Sequence, residues 1–531
     1  MVKAALLRFA RFFVLLYVGA VATMFAIQVL GWDKRLTTPE TLPKLLVVLG
    51  LVAAFTFAPR RGKPASKWLM ALWGLVFLSS VPFLQINYLF GVNDIESVLV
   101  FFGGNTVDKM QDFGAAGYLP DILGNLALYL VFLLATLGLY LRVRYFGLVL
   151  AGLLAVFVIN HPVTLYLKQV WFPKDVQIRI SSEVDRYGLR IRERPAERKN
   201  LVVFYLEGLE QNFLRAPEIK PYTAGLQTLA DRGIAFRNVA QVNGTNYSVA
   251  GVTATQCGVP MLPGTTFNIR QARAQITDGI YKQITCLGDV LAQDGYDTSF
   301  FVGAGLDDFS LGNFLTDHGF SNLFGNGSES DAERNKYGTH GWGITDALVF
   351  QKAREELMAA SGQEKPFLIV VETMATHGPD GFLDVDCLAN SGQDNRMLAA
   401  LECTSGHVER YVDLVSELGL DDNTVIAVMS DHLSWKTALT PVLESLPPRR
   451  NLFFLLNAGG PTVVDKPGVA FDIYPTILEA IGYSLEGDRA NMGVSLFSDK
   501  PGMASQYGLE QLNDGLTGNR ELARWLWRKA P

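Results

Sequence analysis

The sequence predicts a protein in two parts, a helical membrane domain followed by an α/β domain, and three observations support that prediction. Of the 531 residues, 49% are hydrophobic and 18% are charged, which is too apolar for an ordinary soluble enzyme and too polar for a pure transporter. Long apolar runs dominate the chain up to about Leu167. Beyond that residue, short apolar runs alternate with helical stretches, as they do in globular α/β domains.

The membrane domain is predicted over residues 1–167 and contains about five spanning helices. A helix that crosses a bilayer needs about 20 consecutive, mostly apolar residues. Five runs come near this length, the second being short: Phe12–Leu30, Leu42–Phe57, Trp68–Phe90, Leu119–Leu141 and Phe146–Leu165. The first run is longer than the apolar core of a typical signal peptide and further runs follow it, so we interpret it as an anchor.

The placement of basic residues indicates how these helices are oriented. Basic residues cluster before the first span, between the second and third, and between the fourth and fifth. In a five-span domain these three sites share one side, and the positive-inside rule places that side in the cytoplasm. Lys34 and Arg35 lie on the other side and run against this pattern. Five spans would export the rest of the chain.

Three segments are expected after the membrane domain. Residues 168–199 are rich in Arg, Lys and Glu and are predicted to form a juxtamembrane linker with some helix. Residues 200–500 carry the α/β pattern and are predicted to form the globular domain. Residues 501–531 form a C-terminal tail that ends in a short basic amphipathic piece, which either touches anionic lipid headgroups or packs on the domain.

The four cysteines all lie in the globular domain, and their spacings fit no zinc motif. An even number of cysteines outside the membrane suggests two disulfides in an oxidising compartment, which agrees with an exported domain. Proximity in the sequence suggests the pairs Cys257–Cys286 and Cys387–Cys403. The alternative is four buried thiols in a cytosolic domain.

Acidic residues follow three of the predicted strands, where each strand ends. Strand-like apolar runs occur at Leu201–Leu206, Thr298–Val302, Phe367–Val371, Thr424–Met429 and Leu452–Leu456. Glu207, Glu372 and Asp431 come within two residues of the ends of the first, third and fourth runs. Because chemistry in α/β sheets collects at the carboxyl ends of strands, we expect these carboxylates to converge at one edge.

We predict a metal site with a hydroxyl nucleophile at this edge. Glu207, Asp431 and His432 offer the carboxylate and imidazole ligands that divalent cations bind. The hydroxyl of Thr245, in a turn that contains Gly244, completes the set. Metal coordination lowers the pKa of a hydroxyl and directs its oxygen at the substrate, so Thr245 is also the predicted nucleophile.

Other hydroxyl groups lie near Thr245 and are rival nucleophiles, namely Ser248, Thr253 and Thr255. The structural alternative for Gly244–Asn246 is a simple turn. Each element of the predicted site is a weak signal alone. The order of a Glu, a Gly-Thr turn, a His and an Asp-His pair, each at a strand end or turn, is much more specific.

Several residues are predicted to contact the substrate. His377 lies just after a predicted strand and can protonate a leaving alkoxide and later accept a proton, so it is predicted to be catalytic as well as substrate-binding. The other predicted substrate contacts are Trp342, His340 and Asn246. A turn histidine and a core tryptophan are the structural alternatives. The net charge of −6 and the lack of a basic stripe argue against a nucleic-acid partner.

The globular domain resembles the alkaline phosphatase and sulfatase superfamily from about Asn200 to Phe497. The matching segments include Asn200–Gly208, Gly244–Gly258, Asp317–Phe320, Thr376–Phe382, Ser430–Leu433 and Phe471–Leu478. Within the superfamily, the domain is similar to the branch of phosphoglycerol transferases and lipoteichoic acid synthases. The likeness is greatest to the membrane-bound enzymes that modify osmoregulated periplasmic glucans.

This resemblance implies a fold, a cofactor and a reaction. The fold is an α/β domain with a central mixed β-sheet flanked by helices. One divalent ion, Mn²⁺ first and Mg²⁺ or Zn²⁺ as alternatives, would be held by Glu207, Thr245, Asp431 and His432. Phosphoglycerol would pass from phosphatidylglycerol to a periplasmic glucan through a covalent intermediate on Thr245, with release of diacylglycerol. His377 would match the substrate histidine, and the protein would lie in the bacterial inner membrane with its catalytic domain in the periplasm.

The sequence departs from the family pattern at two places. Gly208 follows Glu207 where relatives often have Ser. The stretch 303–313 carries Asp307 and Asp308 and no basic residue, where relatives tend to place Arg or Lys near the phosphoglycerol group. The first alternative function is phosphoethanolamine transfer to glucan or lipid A. A second, from another class, is an inactive membrane scaffold or receptor.

Overall fold

A computed structural model describes residues 66–90, 95, 115–144, 146–264, 269–388, 395–446 and 448–528. The chain divides into two compact units, with a boundary between Lys168 and Gln169. The helices of the first unit are α1 (Lys67–Phe90), α2 (Ala115–Arg142), α3 (Phe146–Asn160) and most of α4 (Pro162–Trp171).

The first unit contains two helices that are long and apolar enough to cross a membrane, over Lys67–Tyr88 and Ile122–Arg142. Helices α3 and α4 pass the same test as a pair and are bent by 52°. Pro162 lies at this break and begins α4, as expected of a residue that favours the first turn of a helix. These helices correspond to the third, fourth and fifth predicted spans. The first two, Phe12–Leu30 and Leu42–Phe57, lie outside the described residues, so the described part of the chain contains two or three candidate spans.

Fifteen strands occur in the described part of the second unit. They are β1 (Leu189–Glu193), β2 (Asn200–Leu206), β3 (Ile234–Phe236), β4 (Val239–Ala240), β5 (Asp297–Gly305), β6 (Asn322–Asn326), β7 (Thr339–His340), β8 (Gly343–Ile344), β9 (Phe367–Glu372), β10 (Thr424–Ser430), β11 (Phe453–Leu456), β12 (Thr462–Val464), β13 (Gly468–Val469), β14 (Ser484–Ala490) and β15 (Gly493–Val494).

Eight of these strands form the central sheet, in the order β12-β3-β11-β10-β2-β9-β5-β6. The five strands from β10 to β6 are parallel, whereas β11 runs antiparallel to β10 and β3. Strands β2, β9 and β10 are buried along their whole length. Continuous apolar runs of this kind are typical of parallel strands covered on both faces, so the predicted mixed α/β sheet is confirmed.

The described part of the second unit also contains sixteen α-helices. They are α5 (Asp175–Ser182), α6 (Asn212–Arg215), α7 (Ala224–Arg232), α8 (Ser248–Cys257), α9 (Ile269–Asp278), α10 (Leu287–Gln293), α11 (Leu311–Asp317), α12 (Asp331–Tyr337), α13 (Asp346–Ser361), α14 (Val385–Leu388), α15 (Arg396–Glu417), α16 (Thr440–Glu444), α17 (Ile473–Ala480), α18 (Met503–Tyr507), α19 (Leu509–Leu516) and α20 (Arg520–Leu526). The main core contains Phe204, Phe350 and Tyr411, whose rings lie within 6.3 Å of one another.

The predicted linker and tail are parts of the second unit. Strand β1 lies within the predicted linker and pairs antiparallel with β14, and β15 completes this three-stranded sheet. In the tail, Leu522 and Leu526 are buried and the ring of Trp525 lies 5.7 Å from that of Tyr187. Of the two alternatives for the tail, packing on the domain is the one that the structure shows.

Both predicted disulfides are present. Cys257 pairs with Cys286, and Cys387 pairs with Cys403. The first joins the end of α8 to the residue before α10, and the second joins α14 to α15. The four cysteines therefore do not act as thiols or as metal ligands.

Candidate active site

The carboxyl ends of β2 and β10 bring three potential metal ligands together. These strands pair in parallel with Ser430 beside Leu206, so the next residues, Asp431 and Glu207, leave the sheet side by side. The Nε2 atom of His432 lies 3.4 Å from Oε1 of Glu207 and 3.3 Å from Oδ2 of Asp431. One ligand atom from each of the three lies within 4.8 Å of the others, close enough to share one metal ion.

Hydrogen bonds orient these ligands. The Nδ1 atom of His432 lies 2.8 Å from the carbonyl oxygen of Leu433, and donation of its N–H there leaves the Nε2 lone pair facing the carboxylates. Oδ1 of Asp431 accepts 2.8 Å hydrogen bonds from the backbone N–H groups of Gly208 and His432. Its Oδ2 atom is buried and accepts no hydrogen bond. That oxygen is therefore left for a cation.

The structure explains why glycine follows Glu207 at position 208, where relatives often have serine. Its φ of +56° lies in the left-handed region, where a side chain costs conformational energy. A Cβ atom there would also lie 3.3 Å from the Cα of Ser434. Glycine allows the chain to turn sharply after Glu207 and still direct its N–H at Asp431.

The charges of the three ligands are strongly coupled. Burial raises the pKa of the Asp431 carboxyl to about 7, and the charge of Glu207 adds to this effect. For His432, burial lowers the pKa, but the two carboxylates outweigh it and raise the pKa to about 10. For Glu207, burial raises the pKa, but neighbouring imidazole charge outweighs it and lowers the pKa to about 2. A proton on His432 thus offsets the negative charge that a metal ion would otherwise neutralise.

Glu372, the third carboxylate expected at this edge, ends β9 and is buried. It is not in the group of ligands that Glu207, Asp431 and His432 form. Its pKa is raised well above the usual range by burial and, to a smaller extent, by the charges of Asp431 and Glu207. Glu372 therefore shares the edge without joining the predicted ligand set.

The hydroxyl group at the ligand cluster belongs to Ser248. Its Oγ donates to Oε2 of Glu207 at 3.1 Å and lies 3.4 Å from Nε2 of His432. Ser248 is partly exposed and is the first residue of α8. The positive end of the helix dipole and its free N–H groups stabilise negative charge on a nearby oxygen or phosphate.

A glycine in α8 allows this close approach. A Cβ atom on Gly251 would lie 1.9 Å from the carbonyl oxygen of Asp431, so only glycine permits the helix to pack this closely on the end of β10. Gly251 is one helical turn after Ser248. Its lack of a side chain holds the serine hydroxyl over the ligands.

Thr245 does not occupy the position predicted for it. Its side chain is fully buried, and its Oγ1 donates to the carbonyl oxygen of Val242 at 2.8 Å and accepts from the N–H of the same residue at 3.1 Å. These bonds close the turn that precedes α8. The placement does not fit a metal ligand or a nucleophile and corrects the prediction. The rivals Thr253 and Thr255 donate to carbonyl groups inside α8.

His377 lies beside the ligand cluster, as predicted. Its Nε2 is 4.0 Å from Oε1 of Glu207, and its Nδ1 is 2.9 Å from the carbonyl oxygen of Gly378. Donation from Nδ1 to that carbonyl leaves the Nε2 lone pair facing the site. Burial lowers the pKa of His377, so the imidazole is neutral near pH 7 and can accept a proton.

Two tryptophans enclose the imidazoles. The ring of Trp342 lies 3.9 Å from that of His377. Trp435 stacks on His432 at 5.1 Å and meets His377 edge-on at 5.1 Å. Trp342 is among the substrate contacts predicted from the sequence and Trp435 is not; the one local indication of Trp435 is its position three residues after His432. The two rings limit the access of water to the ligand cluster.

The other two predicted substrate contacts, His340 and Asn246, lie near these tryptophans. His340 stacks on Phe382 at 4.3 Å, and its Nδ1 accepts the N–H of Trp342 at 3.2 Å. Its Nε2 is buried and forms no hydrogen bond, which leaves a donor for a substrate oxygen. The backbone carbonyl of Asn246 accepts a hydrogen bond from the indole of Trp435 at 3.3 Å. The Asn246 backbone thus links the tryptophan to the turn before Ser248.

A buried ion pair supports the loop that carries Trp435, and no local sequence pattern indicates it. Glu210 is fully buried and pairs with Arg449, which is 21% exposed. The same carboxylate accepts the N–H of Ser434 at 3.3 Å, and Arg449 donates to the carbonyl oxygen of Ser434 at 2.6 Å. The pair therefore fixes the residue that precedes Trp435.

Replacing Arg449 with methionine is expected to destabilise the protein by about 3 kcal/mol, because a buried carboxylate is left without its partner. The measurement is thermal unfolding of the purified full-length protein. Arg190→Met is the matched control: it removes an Arg–Glu pair whose side chains are 62% and 63% exposed, so a loss below about 1 kcal/mol is expected. Equal losses in the two variants would contradict a supporting role for the Glu210–Arg449 pair.

The ligand set fits a divalent cation. Two carboxylates and an imidazole nitrogen suit Mn²⁺, Mg²⁺ or Zn²⁺, and the oxygen of Asp431 that lacks a hydrogen bond points to a missing positive charge. Members of the alkaline phosphatase and sulfatase superfamily use divalent metal ions. Glu207, Asp431 and His432 are the residues that would hold one here.

Comparison with known proteins agrees with this geometry. Phosphoglycerol transferase I of Escherichia coli O127:H6 is 30% identical over 298 residues, 55% of this chain and 38% of its own length. The protein of the same name from Salmonella choleraesuis is 30% identical over 295 residues, 54% of this chain and 38% of its own length. The match thus spans well under half the length of these curated relatives.

Two solved structures share the fold. A protein of the alkaline phosphatase superfamily from Vibrio parahaemolyticus has a TM-score of 0.51 at 19% identity, covering 68% of this chain and 100% of its own. The lipoteichoic acid synthase LtaP from Listeria monocytogenes has a TM-score of 0.50 at 14% identity, covering 66% of this chain and 98% of its own. At these identities the likeness establishes the fold alone.

A protein-family model supports the same assignment. The model described as Sulfatase matches residues 199–483, which is more than half of the chain and includes every residue of the ligand cluster. The predicted resemblance to the alkaline phosphatase and sulfatase superfamily is confirmed. The chain therefore belongs to the sulfatase family.

Proposed function

We propose that this protein transfers phosphoglycerol from phosphatidylglycerol to a periplasmic glucan, with release of diacylglycerol. One observation carries the proposal: the partly exposed Ser248 hydroxyl lies at the start of α8, 3.1 Å from Oε2 of Glu207 and beside His432. The curated relatives named phosphoglycerol transferase I support the choice of group transferred. Presence of the whole ligand set argues against an inactive scaffold.

In this proposal Glu207, Asp431 and His432 hold one divalent ion, for which Mn²⁺ is the first choice. Such an ion lowers the pKa of a nearby hydroxyl and neutralises charge on phosphoryl oxygens during displacement. The buried carboxylates supply the negative charge that retains it. Ser248 takes the nucleophilic role predicted for Thr245.

The reaction then has two displacement steps. In the first, Oγ of Ser248 bonds to phosphorus and the bond from phosphorus to the diacylglycerol oxygen breaks. The serine proton leaves along the hydrogen bond to Glu207 and reaches the diacylglycerol oxygen through His377, whose Nε2 lies 4.0 Å from Oε1 of Glu207. In the second, the oxygen of a sugar hydroxyl bonds to phosphorus, the bond from phosphorus to Oγ of Ser248 breaks, and the sugar hydroxyl proton returns through His377 to Oγ of Ser248. His377 is suited to both steps because its pKa is lowered by burial, so the imidazole is neutral and can accept a proton.

We place the protein in a bacterial inner membrane with the catalytic domain in the periplasm. Two disulfides in the second unit support an oxidising compartment. Two or three apolar helices in the first unit support membrane anchoring, which would keep the site within reach of a lipid donor.

One observation favours a second candidate, phosphoethanolamine transfer. Asp307 and Asp308 precede Phe309, whose ring lies 6.0 Å from that of Tyr247, the residue before Ser248. Asp308 accepts the backbone N–H of Gly305 at 3.0 Å, and acidic residues in the segment that carries Phe309 would favour a donor with an ammonium group. They offer no positive charge to a phosphoglycerol group.

A donor assay distinguishes these candidates. The full-length protein with Mn²⁺ would be incubated with labelled phosphatidylglycerol or phosphatidylethanolamine, and diacylglycerol release would be measured with Ser248→Ala as the control. Release from phosphatidylglycerol alone is the expected result. Release from phosphatidylethanolamine alone would show that this lipid is the donor and would leave the assignment of the site residues unchanged. Release from neither lipid would overturn the transferase proposal.

A further inference from the structure

The start of the second unit exposes a cluster of large apolar side chains. Trp171 is 65% exposed, Phe172 is 73% exposed and Ile178 is 55% exposed. Among the described residues from Gln169 onward, seven large hydrophobic side chains are exposed, and these three lie within eight residues of one another. The other four are scattered between residues 358 and 497. Isolated exposed apolar residues are normal, but a cluster of them suggests a contact surface.

The opposite face of α5 is firmly packed, which fixes the direction in which Ile178 points. Val176 and Ile180 are buried, and Ile180 packs so close to Gly515 that a Cβ there would lie 2.6 Å away. Gln177 donates to the carbonyl oxygen of Thr517 at 2.7 Å. Helix α5 thus has a protein-facing side and a separate exposed side.

The position of this cluster in the chain indicates what covers it. Trp171 ends α4, and the bent pair α3–α4 is apolar enough to cross a membrane. Trp171 and Phe172 therefore lie where a membrane segment ends, and tryptophan is enriched at the level of lipid headgroups. In the next helix, α5, the exposed apolar residue Ile178 lies between Gln177 and Arg179, and apolar residues beside polar ones on an exposed helix are typical of interfacial helices.

We propose that Trp171, Phe172 and Ile178 form a lipid-contacting surface, which lies in the headgroup region of the bilayer on the side of the catalytic unit. Lys174 and Arg179 flank it and are held by the domain, since Lys174 pairs with Asp514 at 2.5 Å and Arg179 lies 5.5 Å from the ring of Tyr507. The occupant is the bilayer itself. This inference is independent of the reaction proposed for the active site.

The lipid-contacting surface is connected to the turn before Ser248. Thr517, which accepts from Gln177 through its carbonyl oxygen, also accepts from Nδ2 of Asn243 through its Oγ1 at 2.6 Å. Asn513 accepts the backbone N–H of Asn243 at 2.8 Å. Asn243 lies between Val242 and Thr245, in the turn that leads into α8. A surface held on the bilayer would therefore hold the nucleophile turn at a defined distance from the lipid.

The test uses a fluorescent label on the full-length protein in nanodiscs of phosphatidylglycerol and phosphatidylethanolamine. All four natural cysteines are paired, so an introduced cysteine is the one thiol that reacts. Phe172→Cys and Ile178→Cys would carry an environment-sensitive nitrobenzoxadiazole dye. Met358→Cys on α13, where the side chain is 48% exposed, is the matched control.

We expect blue-shifted emission from both test sites and at least twofold stronger quenching by lipids that carry a doxyl group near the headgroup than at the Met358 control. Emission at a wavelength typical of water at both sites would overturn the proposal. Blue-shifted emission without quenching by doxyl lipid would also overturn it, because a protein partner or second copy would then cover the surface.

Discussion

Replacing Ser248 with alanine is expected to reduce headgroup transfer by about 10⁴-fold or more, because this change removes the oxygen that attacks phosphorus. The side chain is small and partly exposed, so the fold should be retained. The measurement is diacylglycerol release from the preferred lipid donor, together with the unfolding temperature of the variant. Ser248→Thr keeps a hydroxyl at the site and should retain part of the activity.

Thr245→Val is the matched control for this prediction. It removes a hydroxyl that bonds both backbone groups of Val242, so a loss of about 1–2 kcal/mol in stability is expected. Activity measured below the unfolding temperature should fall far less than in Ser248→Ala. Full activity in Ser248→Ala with none in Thr245→Val would restore Thr245 as the nucleophile.

Replacing Glu207 with glutamine is expected to abolish metal retention and transfer together. Glu207 bridges the cluster, since Oε1 lies 3.4 Å from His432 and Oε2 accepts from Ser248. An amide lacks the negative charge that draws a divalent ion into a buried site. Metal content after dialysis, measured by elemental mass spectrometry, should fall from about one ion per chain to near zero.

Glu355→Gln provides the control for charge removal alone, because Glu355 is exposed on α13. That variant should retain its metal and its activity. A Glu207→Gln variant that still held one ion per chain would contradict the assignment of Glu207 as a ligand. A protein that bound no metal in any form would contradict the site as a whole.

The central sheet could be predicted because local apolar runs in the sequence indicate its strands. Residues 201–206, 367–371 and 424–429 are apolar runs of strand length, and each lies within an observed strand. Because residues that follow parallel strands meet at the carboxyl edge of a sheet, these runs also predict that Glu207 and Asp431 lie at one edge. The order of the strands and the antiparallel β11 depend on distant pairings that no local pattern encodes.

The position of the nucleophilic hydroxyl could not be predicted from local pattern. Thr245 and Ser248 are three residues apart, and the choice depends on where the turn ends and α8 begins. The structure ends the turn at Tyr247, so Ser248 starts the helix and Thr245 turns back onto Val242. A shift of this size is within the usual uncertainty of helix boundaries inferred from sequence.

The other features that the sequence does not predict depend on contacts between distant segments of the chain. Arg449 lies 239 residues from its partner Glu210 in the sequence, and nothing near either residue marks the pair. Residues 168–199 are rich in Arg, Lys and Glu, which predicts a linker, yet β1 within this segment pairs with the distant strand β14. Trp435 belongs to no recognisable sequence motif, and its contact with the site is the stacking of its ring on His432.

The most direct test of the account is to find the covalent intermediate. Full-length protein with Mn²⁺ and phosphatidylglycerol would be quenched in acid, digested and sequenced by tandem mass spectrometry, with Ser248→Ala in parallel. Fragment ions that separate Asn246 from Tyr247 distinguish the two hydroxyls. The account predicts a glycerophosphate group on Ser248 in the wild type and none in the variant. The same group on Thr245, or diacylglycerol release in Ser248→Ala at the wild-type rate, would contradict it.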